Sequence, residues 1–273
     1  MTKEVIAFDI GGTNMRAALV NSNTHKISKY NTCKTPKQKK QLLQKIDEFI
    51  KILNSPRIKG IGIGFPGYIK NGKITKAHNL PSLNGFNLKN HLQKKYKKQV
   101  EIANDVACFA IAESKLGSKK ENFIIITLGT GIGGGIVING KNYVGENGYA
   151  AEFGHAYFRE KEWEAQWKKT KRRIAKELGK NALVSDLAKK RDSHCREILK
   201  EAADYLGFGI ATLITEFDPE VVFIGGGVKE SGSYFLGLIR SATKKYAVIK
   251  KTPPVKWITL KNSGILGAAL LVG

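Results

Sequence analysis

The sequence predicts an α/β fold built as two similar halves. Three short apolar runs follow one another between Val5 and Cys33, and the same pattern returns between Phe123 and Val144. In both places a glycine-rich turn separates the first run from the second. Apolar runs of this length, bounded by glycine and polar residues, are typical of buried strands, so we expect two related sheets with helices packed on them.

The elements of the first half follow a regular order. The predicted strands are Val5–Ile10, Met15–Val20, His25–Cys33, Ile58–Gly64 and Val100–Ala103. The predicted helices lie at residues 42–53, at about 88–96, and directly after residues 104 and 105. Three strands, a helix and a strand form one half of the ribonuclease H-like architecture used by sugar kinases, actin and the 70-kilodalton chaperones. This analogy concerns the fold and assigns no substrate.

The second half repeats this order with longer helices. Its predicted strands are Phe123–Leu128, Gly133–Asn139, Lys141–Val144, Val221–Ile224 and Val255–Leu260. Its predicted helices lie at residues 163–178, at 198–217, from about 231 onward, and at 264–272. The duplication predicts a ribonuclease H-like (actin-like ATPase) fold with two lobes and an active-site cleft between them. We expect residues 1–103 and about 262–273 to form a small N-terminal lobe, and residues 104–261 a large C-terminal lobe.

The two glycine-rich turns are candidate phosphate sites. Residues 11–14 read GGTN and residues 129–135 read GTGIGGG. Glycine lets a backbone approach a ligand closely and present several N–H groups to an anion. The second turn also has the G-x-G-x-x-G spacing of dinucleotide-binding folds, but a strand rather than a helix follows it, so we reject that interpretation. A glycine hairpin can be purely structural; its repetition in both halves favours phosphate binding.

Two aspartates lie at predicted strand ends. Asp9 ends the first strand, where a carboxylate can hold a hydrated magnesium ion beside phosphates; a buried aspartate that caps the turn is the alternative. Asp105 follows the strand Val100–Ala103 and starts a helix. A carboxylate there can act as a general base in a cleft or serve only as a helix cap.

The net charge of +23 raises the question of a nucleic-acid partner. Of the 46 basic residues, 38 are lysine and 8 are arginine. Specific reading of phosphates and bases relies on the planar fork of arginine, whereas a lysine excess spread over every segment indicates compositional bias. Nucleic-acid binding is therefore not expected, and the densest basic cluster, residues 168–173, is where it would be sought.

Other protein classes are excluded by what the sequence lacks. The apolar run Ile265–Val272 is far shorter than the roughly 20 residues of a membrane-spanning helix, and no signal-peptide pattern precedes the first strand. Cys33, Cys108 and Cys195 are widely spaced and odd in number, which predicts neither a disulfide framework nor a cysteine metal site. We expect a cytoplasmic protein with no membrane partner.

Taken in order, the motifs resemble those of the ROK family of sugar kinases over essentially the whole chain. They are FDIGGTN (8–14), GIGFPG (62–67), NLP (79–81), AND (103–105), LGTGIGGG (128–135), AEFGH (151–155), FIGGG (223–227) and SGILGAAL (263–270). Each motif is weak singly, but their order and spacing together are highly specific.

The resemblance implies a two-lobed kinase that transfers the γ-phosphoryl group of ATP to the 6-hydroxyl of a hexose, with glucose as the default acceptor. It implies that Asp105 is the general base and that Asp9 attends Mg²⁺ through water. It implies further that the sugar is held by Asn79, Asn104, Glu152 and His155. The residues implied to bind the nucleotide are Gly11, Gly12, Thr13, Asn14, Thr130, Gly131 and Gly133 at the phosphates, and Gly225, Gly226 and Gly227 at the nucleoside.

One departure from the family is large. ROK members usually follow the E-x-G-H histidine with a cysteine-rich segment that binds structural zinc, and residues 156–163 contain no cysteine. We therefore expect no zinc. The last acidic residue of that motif, which reaches the sugar, corresponds to Glu164.

Several alternatives stay open at this stage. Polyphosphate-dependent glucokinases of the family also lack the zinc cysteines, and a basic surface suits a polyanionic donor. The acceptor can be another hexose or an N-acetylated hexosamine. A ROK-type sugar-responsive regulator is less favoured, because such proteins carry a DNA-binding segment before the first strand. A homodimer is a possible assembly, since relatives commonly form one.

Overall fold

The structure, a computed structural model, describes residues 3–190 and 192–273. The chain forms two compact units. The first contains the chain up to Lys119 together with residues 142–150 and 259–273, and the second contains residues 120–141 and 151–258.

The first unit consists of strands and helices in the predicted order, with one additional hairpin. Its elements are β1 (Glu4–Ile10), β2 (Asn14–Asn21), β3 (Ile27–Lys34), α1 (Lys39–Leu53), β4 (Ile58–Phe65), β5 (Tyr68–Lys70), β6 (Lys73–Lys76), α2 (Leu88–Tyr96), β7 (Gln99–Asn104) and α3 (Asp105–Leu116). The hairpin β5–β6 was not predicted.

The sheet of the first unit has the order β3-β2-β1-β4-β7. Strands β1 and β2 are antiparallel, as are β2 and β3, whereas β1, β4 and β7 are parallel. The register places Asp9 opposite Gly64, and Phe65 opposite Asn104. The carboxyl ends of these three strands therefore meet at one edge of the sheet, which is where open α/β sheets bind ligands.

Successive side chains of β1 point to opposite faces of the first sheet and enter two different hydrophobic cores. Ile6, Phe8 and Ile10 of β1 pack with the apolar faces of α1 and α2. Val5 and Ala7, which point the opposite way, pack with residues of α3 and of the C-terminal helix α8 (Ser263–Leu270). The first unit is thus a sheet covered by helices on both faces.

The second unit repeats the topology of the first. Its elements are β8 (Phe123–Leu128), β9 (Ile132–Ile138), β10 (Lys141–Tyr143), β11 (Tyr157–Phe158), β12 (Lys161–Glu162), α4 (Trp163–Leu178), α5 (Val184–Lys190), α6 (Ser193–Phe217), β13 (Val221–Gly225), α7 (Gly232–Tyr246) and β14 (Val255–Trp257). Of β10, only Lys141 is assigned to this unit. The sheet order is β10-β9-β8-β13-β14, again with an antiparallel start and two parallel strands after it. The predicted duplication is confirmed.

The core of the second unit is built around two tryptophans of α4. Trp163 and Trp167 are buried, and both indole N–H groups donate hydrogen bonds to backbone carbonyls. A β-carbon on Gly209 of α6 would lie 2.6 Å from the Trp163 ring, so glycine there permits the close packing of α4 and α6. The two tryptophans are therefore core residues.

The observed units differ from the lobe boundaries that we expected. Helix α3 lies in the first unit, although the expected boundary falls before it. The reason is close packing: Gly267 of α8 has no room for a β-carbon because the backbone of Cys108 on α3 lies against it. Gly64 of β4 packs on the Cys108 sulfur from the opposite side, with 3.2 Å between its β-carbon position and Sγ.

Within residues 3–190 and 192–273, no helix is long and apolar enough to cross a membrane. Several cations of the basic cluster at residues 168–173 have partners. Lys169 and Arg173 pair with Glu201, Lys168 pairs with Glu164, and Lys171 donates to a backbone carbonyl. These interactions account for much of the cluster without a nucleic acid.

Candidate active site

The first glycine turn is held in shape by hydrogen bonds that its own backbone carbonyl groups accept. The Gly11 N–H donates to the Asn14 carbonyl at 2.9 Å, which closes the turn. The Thr35 hydroxyl donates to the Gly11 carbonyl at 2.7 Å, and the Lys37 ammonium donates to the Gly12 carbonyl. Neither Thr35 nor Lys37 was singled out from the sequence. Together these bonds fix the shape of the turn from the side of its carbonyl groups.

Asp9 lies directly before this turn and is 7% exposed. Its Oδ2 accepts a hydrogen bond from Arg16 Nη1 at 2.9 Å, across the register pair of β1 and β2. Burial raises the pKa of Asp9, and the Arg16 guanidinium opposes that shift. Gly264, in the first turn of α8, packs against the same carboxyl group. Arg16 is a functional neighbour that sequence reasoning missed, although its opposite position on an antiparallel strand could have indicated it.

Asn79 lies beside the glycine turn. A β-carbon on Gly12 would come within 3.0 Å of the Asn79 side chain, so glycine at position 12 lets the two segments meet. Asn79 is exposed, in the loop that follows β6. The structure therefore brings together a residue expected at the sugar and a turn expected at the phosphates.

Asn104 and Asp105 join the end of β7 to the start of α3. The Asn104 Oδ1 caps the helix by accepting hydrogen bonds from the N–H groups of Val106, at 2.9 Å, and Ala107, at 3.2 Å. Its Nδ2 donates to the Gly67 carbonyl at 3.1 Å. Asn104 is thus the helix cap, and Asp105 is the first helical residue, half-buried, with Oδ1 3.0 Å from the Val106 nitrogen.

The buried thiol of Cys108 is affected by the charges of both aspartates. Burial raises the pKa of its thiol well above the usual value, and the negative charges of Asp9 and Asp105 add to the shift. Asp9 lies near the end of β1 and Asp105 directly follows β7. Because β4 lies between these two strands, the backbones of Asp9 and Asp105 are about two strand spacings, or ~10 Å, apart.

In the second unit, helix α4 holds the glycine hairpin between β8 and β9. The Gly129 carbonyl accepts hydrogen bonds from the Trp167 indole at 3.0 Å and from the Lys171 ammonium at 3.2 Å. The Gly129 N–H donates to the Gly131 carbonyl at 3.0 Å, which places exposed Thr130 at the tip. Gly133, expected at the phosphates, lies just beyond the hairpin in β9, opposite Thr127. Trp167 and Lys171 were not predicted to have this role.

Glu164 lies under the same hairpin. Its Oε2 accepts a hydrogen bond from the Ile132 N–H at 3.0 Å, and its Oε1 is 2.5 Å from the Lys168 ammonium. A β-carbon on Gly131 would overlap this carboxylate. Burial opposes ionisation, but Lys168 and the Ile132 N–H together hold the pKa of Glu164 below its usual value.

The E-x-G-H motif forms a short 3-10 turn beside Glu164. Its bounds are Phe153–His155, directly after half-buried Glu152. A β-carbon on Gly154 would overlap the Ile132 carbonyl and come within 3.4 Å of Glu164, so the turn packs against both. His155 is exposed and its Nδ1 lies 3.9 Å from a carboxylate oxygen of Glu162. The structure therefore brings three expected sugar ligands, Glu152, His155 and Glu164, into one region of the second unit.

The triple glycine begins at Gly225, the last residue of β13. Gly226 has φ +92°, and a β-carbon there would overlap the Leu128 carbonyl, whereas Gly227 faces open space. A pocket of about 600 Å³ lies just beyond this turn, in the same unit. It is lined by residues of α5, α6 and the 230–234 segment, among them Leu187, Lys189, Arg196, Ser231 and Tyr234. Its apolar and polar lining suits a small organic ligand.

A metal ion needs a suitable set of side-chain ligands. Among the residues that the structure describes, no group of three or more histidine, cysteine or acidic side chains could hold a metal ion. Magnesium that is bound through nucleotide phosphates needs only one or two protein carboxylates and keeps several waters. Asp9 beside the glycine turn fits that requirement.

Comparison with known proteins gives consistent matches. The model of the ROK family matches residues 5–273. A glucokinase of Thermotoga maritima is 29% identical, with 98% of this chain and 97% of the relative covered. A beta-glucoside kinase of Klebsiella pneumoniae is 30% identical, with 87% and 86% covered. The crystal structure of a ROK family glucokinase from Streptomyces griseus, in complex with glucose and AMPPNP, superposes with a TM-score of 0.86 at 26% identity and covers 98% of both chains.

Proposed function

The chain belongs to the ROK family, and from that premise we propose that it is an ATP-dependent hexose kinase whose main acceptor is glucose. Similarity to a glucokinase over nearly the whole chain supports the acceptor, and similarity to a glucokinase bound to glucose and an ATP analogue supports the donor. The observation that carries the proposal is the position of Asp105, at the carboxyl edge of the first parallel strands with Asp9 and the glycine turn.

Asp105 acts as the general base. Its carboxylate accepts the proton of the sugar 6-hydroxyl while that oxygen attacks the γ-phosphorus, and ADP leaves with the bridging oxygen. Phosphoryl transfer requires mainly positioning and charge stabilisation from the protein. The cap formed by Asn104 and its bond to Gly67 fix the start of α3, and with it the backbone that carries Asp105.

Side chains of each unit are assigned to the acceptor. In the first unit these are Asn79 and Asn104, and in the second they are Glu152, His155 and Glu164. One amide hydrogen of Asn104 is used by Gly67, so its second amide hydrogen is the donor that we assign to the sugar. Glu164 also bonds the hairpin backbone, and its remaining acceptor capacity is assigned to a sugar hydroxyl.

The nucleotide is held by glycine-rich backbone. Residues 11–14 and the hairpin 130–133 bind phosphates through N–H groups. Gly225, Gly226 and Gly227 contact the nucleoside, and the adjacent pocket supports this assignment because its volume suits an adenosine group. Asp9 would hold Mg²⁺ through water, and the ion would supply positive charge that neutralises the phosphates.

A second donor, polyphosphate, is favoured by one observation. The Lys171 ammonium donates a hydrogen bond to the Gly129 carbonyl of the glycine hairpin. The next residue of α4, Arg172, is exposed. Cations at this position could bind phosphates beyond the third. ATP is preferred because the resemblance to a glucokinase bound to an ATP analogue extends over the whole chain.

A single assay separates these functions. Purified protein is incubated with glucose and either MgATP or magnesium polyphosphate, and glucose 6-phosphate is measured. We expect product with MgATP. Product with polyphosphate alone would reverse the choice of donor, and no product with either donor across glucose, mannose, fructose and N-acetylglucosamine would contradict a hexose kinase.

A further inference from the structure

A short hairpin, β11–β12, lies between His155 and helix α4 of the second unit. Its strands are antiparallel, with Tyr157 opposite Glu162. The Trp163 N–H donates to the Ala156 carbonyl at 2.9 Å, which extends the pairing by one residue towards the histidine. The hairpin therefore sets Glu162 alongside the residues that directly follow His155.

The tip of this hairpin is fixed to α6 and α7. Its two turn residues, Arg159 and Glu160, have φ values of +51° and +66°. Two positive φ values at a two-residue hairpin turn are typical of type I′. Arg159 Nη1 donates to Asp204 Oδ2 at 3.0 Å. The same guanidinium lies over two rings, 4.7 Å from the Phe208 centroid and 4.8 Å from that of Tyr246.

The base of the hairpin is fixed to α4. The Phe158 ring lies edge-on to the buried Trp163 ring, with 5.2 Å between centroids and an interplanar angle of 86°. The Gln166 amide donates to the Phe158 carbonyl at 3.5 Å. Because the hairpin is held at its tip and at its base, β12 presents Glu162 from a defined position.

Glu162 directs its carboxylate at the imidazole of His155. Its Oε2 lies 3.9 Å from His155 Nδ1, and the two side chains are 40% and 42% exposed. Glu162 is also the N-cap residue of α4, but its carboxylate is turned to the histidine instead of to the first N–H groups of that helix. Polar contacts of this length in unliganded active sites often shorten when substrate binds. The carboxylate thus lies on the Nδ1 side of the ring.

A carboxylate on one side of an imidazole influences which ring nitrogen carries the proton. Neutral histidine has one N–H donor and one acceptor nitrogen, and the partner of one nitrogen sets the role of the other. With Glu162 at Nδ1, the proton is favoured on Nδ1 and Nε2 becomes the acceptor. An acceptor nitrogen suits a sugar hydroxyl, because the hydroxyl can donate its proton to it.

We propose that Glu162 is a positioning residue of the kinase, which holds His155 as the Nδ1–H tautomer and so makes Nε2 the acceptor for a sugar hydroxyl. This inference rests on the proposed function, because His155 is assigned to the sugar there. Glu162 acts through the imidazole of His155, and the hairpin β11–β12 contributes by fixing the position of Glu162. Glu162 therefore affects binding of the sugar and leaves binding of ATP unchanged.

The test compares the full-length wild type with Glu162→Ala and Glu160→Ala. Glu160 is the matched control, because it is an exposed glutamate at the tip of the same hairpin. Proton–nitrogen correlation spectra of protein labelled with ¹⁵N-histidine show which ring nitrogen carries the proton, at about pH 8 where a free imidazole is mostly neutral. His155→Asn identifies the signals of His155 among those of the five histidines. Steady-state kinetics give KM and kcat, and thermal unfolding shows that each variant is folded.

We expect the Nδ1–H tautomer of His155 in the wild type and in Glu160→Ala, and a shift towards the Nε2–H tautomer in Glu162→Ala. The KM for glucose should rise about two- to fivefold in Glu162→Ala, which is the scale of one partly exposed electrostatic contact. The KM for ATP and kcat should stay within about twofold.

Three results would overturn the inference. They are the same tautomer in the wild type and in Glu162→Ala, an equal change in Glu160→Ala, or a tautomer shift that leaves the KM for glucose unchanged. Failure of the proposed function gives a different result, namely a tautomer shift confined to Glu162→Ala in a protein whose wild type phosphorylates no sugar.

Discussion

The Glu164 carboxylate accepts a hydrogen bond from the Ile132 backbone N–H at 3.0 Å, and so joins helix α4 to the glycine hairpin. The E-x-G-H turn packs on the same pair through Gly154. Here a carboxylate, its Lys168 partner and two buried indoles occupy the start of α4.

Replacing Glu164 by glutamine should affect both substrates. The amide can still accept from the Ile132 N–H, but the ion pair with Lys168 is lost, and charge-assisted hydrogen bonds are roughly twice as strong as neutral ones. We expect KM to rise about three- to tenfold for glucose and by a smaller factor for ATP, with little change in thermal stability. A KM for glucose equal to that of the wild type would show that Glu164 only holds the hairpin.

Trp167→Phe tests whether α4 positions the phosphate hairpin. The variant removes the indole donor to the Gly129 carbonyl and keeps most of the buried ring. We expect about 1–2 kcal/mol of lost stability and a higher KM for ATP. Trp163→Phe is the matched control, because its indole donates to Tyr205 on α6 instead. An equal rise in the KM for ATP in both variants would indicate general loosening of the core.

The triple glycine allows a steric prediction. Gly226→Ala places a methyl group against the Leu128 carbonyl in a left-handed backbone conformation, whereas Gly227→Ala meets open space. We expect Gly226→Ala to lose several kcal/mol of stability or fail to fold, and Gly227→Ala to unfold within a few degrees of the wild type. Differential scanning calorimetry gives the melting temperatures of the two variants. Equal melting temperatures would contradict the predicted clash at position 226. A raised KM for ATP in folded Gly227→Ala would place the nucleoside at this turn.

Asp204 allows a prediction about pH. It accepts hydrogen bonds from the Tyr246 hydroxyl at 2.7 Å, Arg159 at 3.0 Å and Lys245 at 3.1 Å. Burial opposes ionisation, but these three donors hold the pKa of Asp204 below its usual value. A carboxylate with a lowered folded-state pKa stabilises the fold above its unfolded pKa of about 3.9, and that stability is lost as pH falls through the folded value.

Urea unfolding of the wild type and Asp204→Asn therefore has a defined pH profile. We expect the wild type to be about 1–2 kcal/mol more stable near neutral pH, with the difference shrinking below about pH 4. A difference that stays constant into acid would show that the charge of Asp204 is not what stabilises this cluster.

Much of the fold could be predicted because its signals are local. The helical period of Leu42, Ile46 and Phe49 predicted α1, and the repeated strand–glycine–strand pattern predicted both sheets. Helix α2 begins and ends where the sequence indicated, at Leu88 and Tyr96. Helix α5 and the hairpin β5–β6 were missed, because elements of three to seven residues have too short a pattern to reveal their period.

For the candidate site, too, only features with a local sequence signal could be predicted. Glycine turns and residues at strand ends are visible in a sequence, so Asp9, Asp105 and the triple glycine could be named as candidates; their roles stay predictions. Contacts between distant segments are not visible. Nothing local indicates that Trp167 donates to Gly129, or that residues 142–150 carry Tyr149 to Tyr68. Such contacts depend on the tertiary packing of whole helices and units.

The most direct test of the central claim is Asp105→Asn. The amide cannot accept the proton of the sugar hydroxyl, so we expect kcat with glucose and MgATP to fall at least a hundredfold, within the range of about 10²–10⁴ for a lost general base. Glucose binding, measured by calorimetry, should stay within a few-fold of the wild type. Asp47→Asn, on α1 of the same unit, is the matched control and should retain turnover. Near-normal turnover in Asp105→Asn would contradict the assignment of the base.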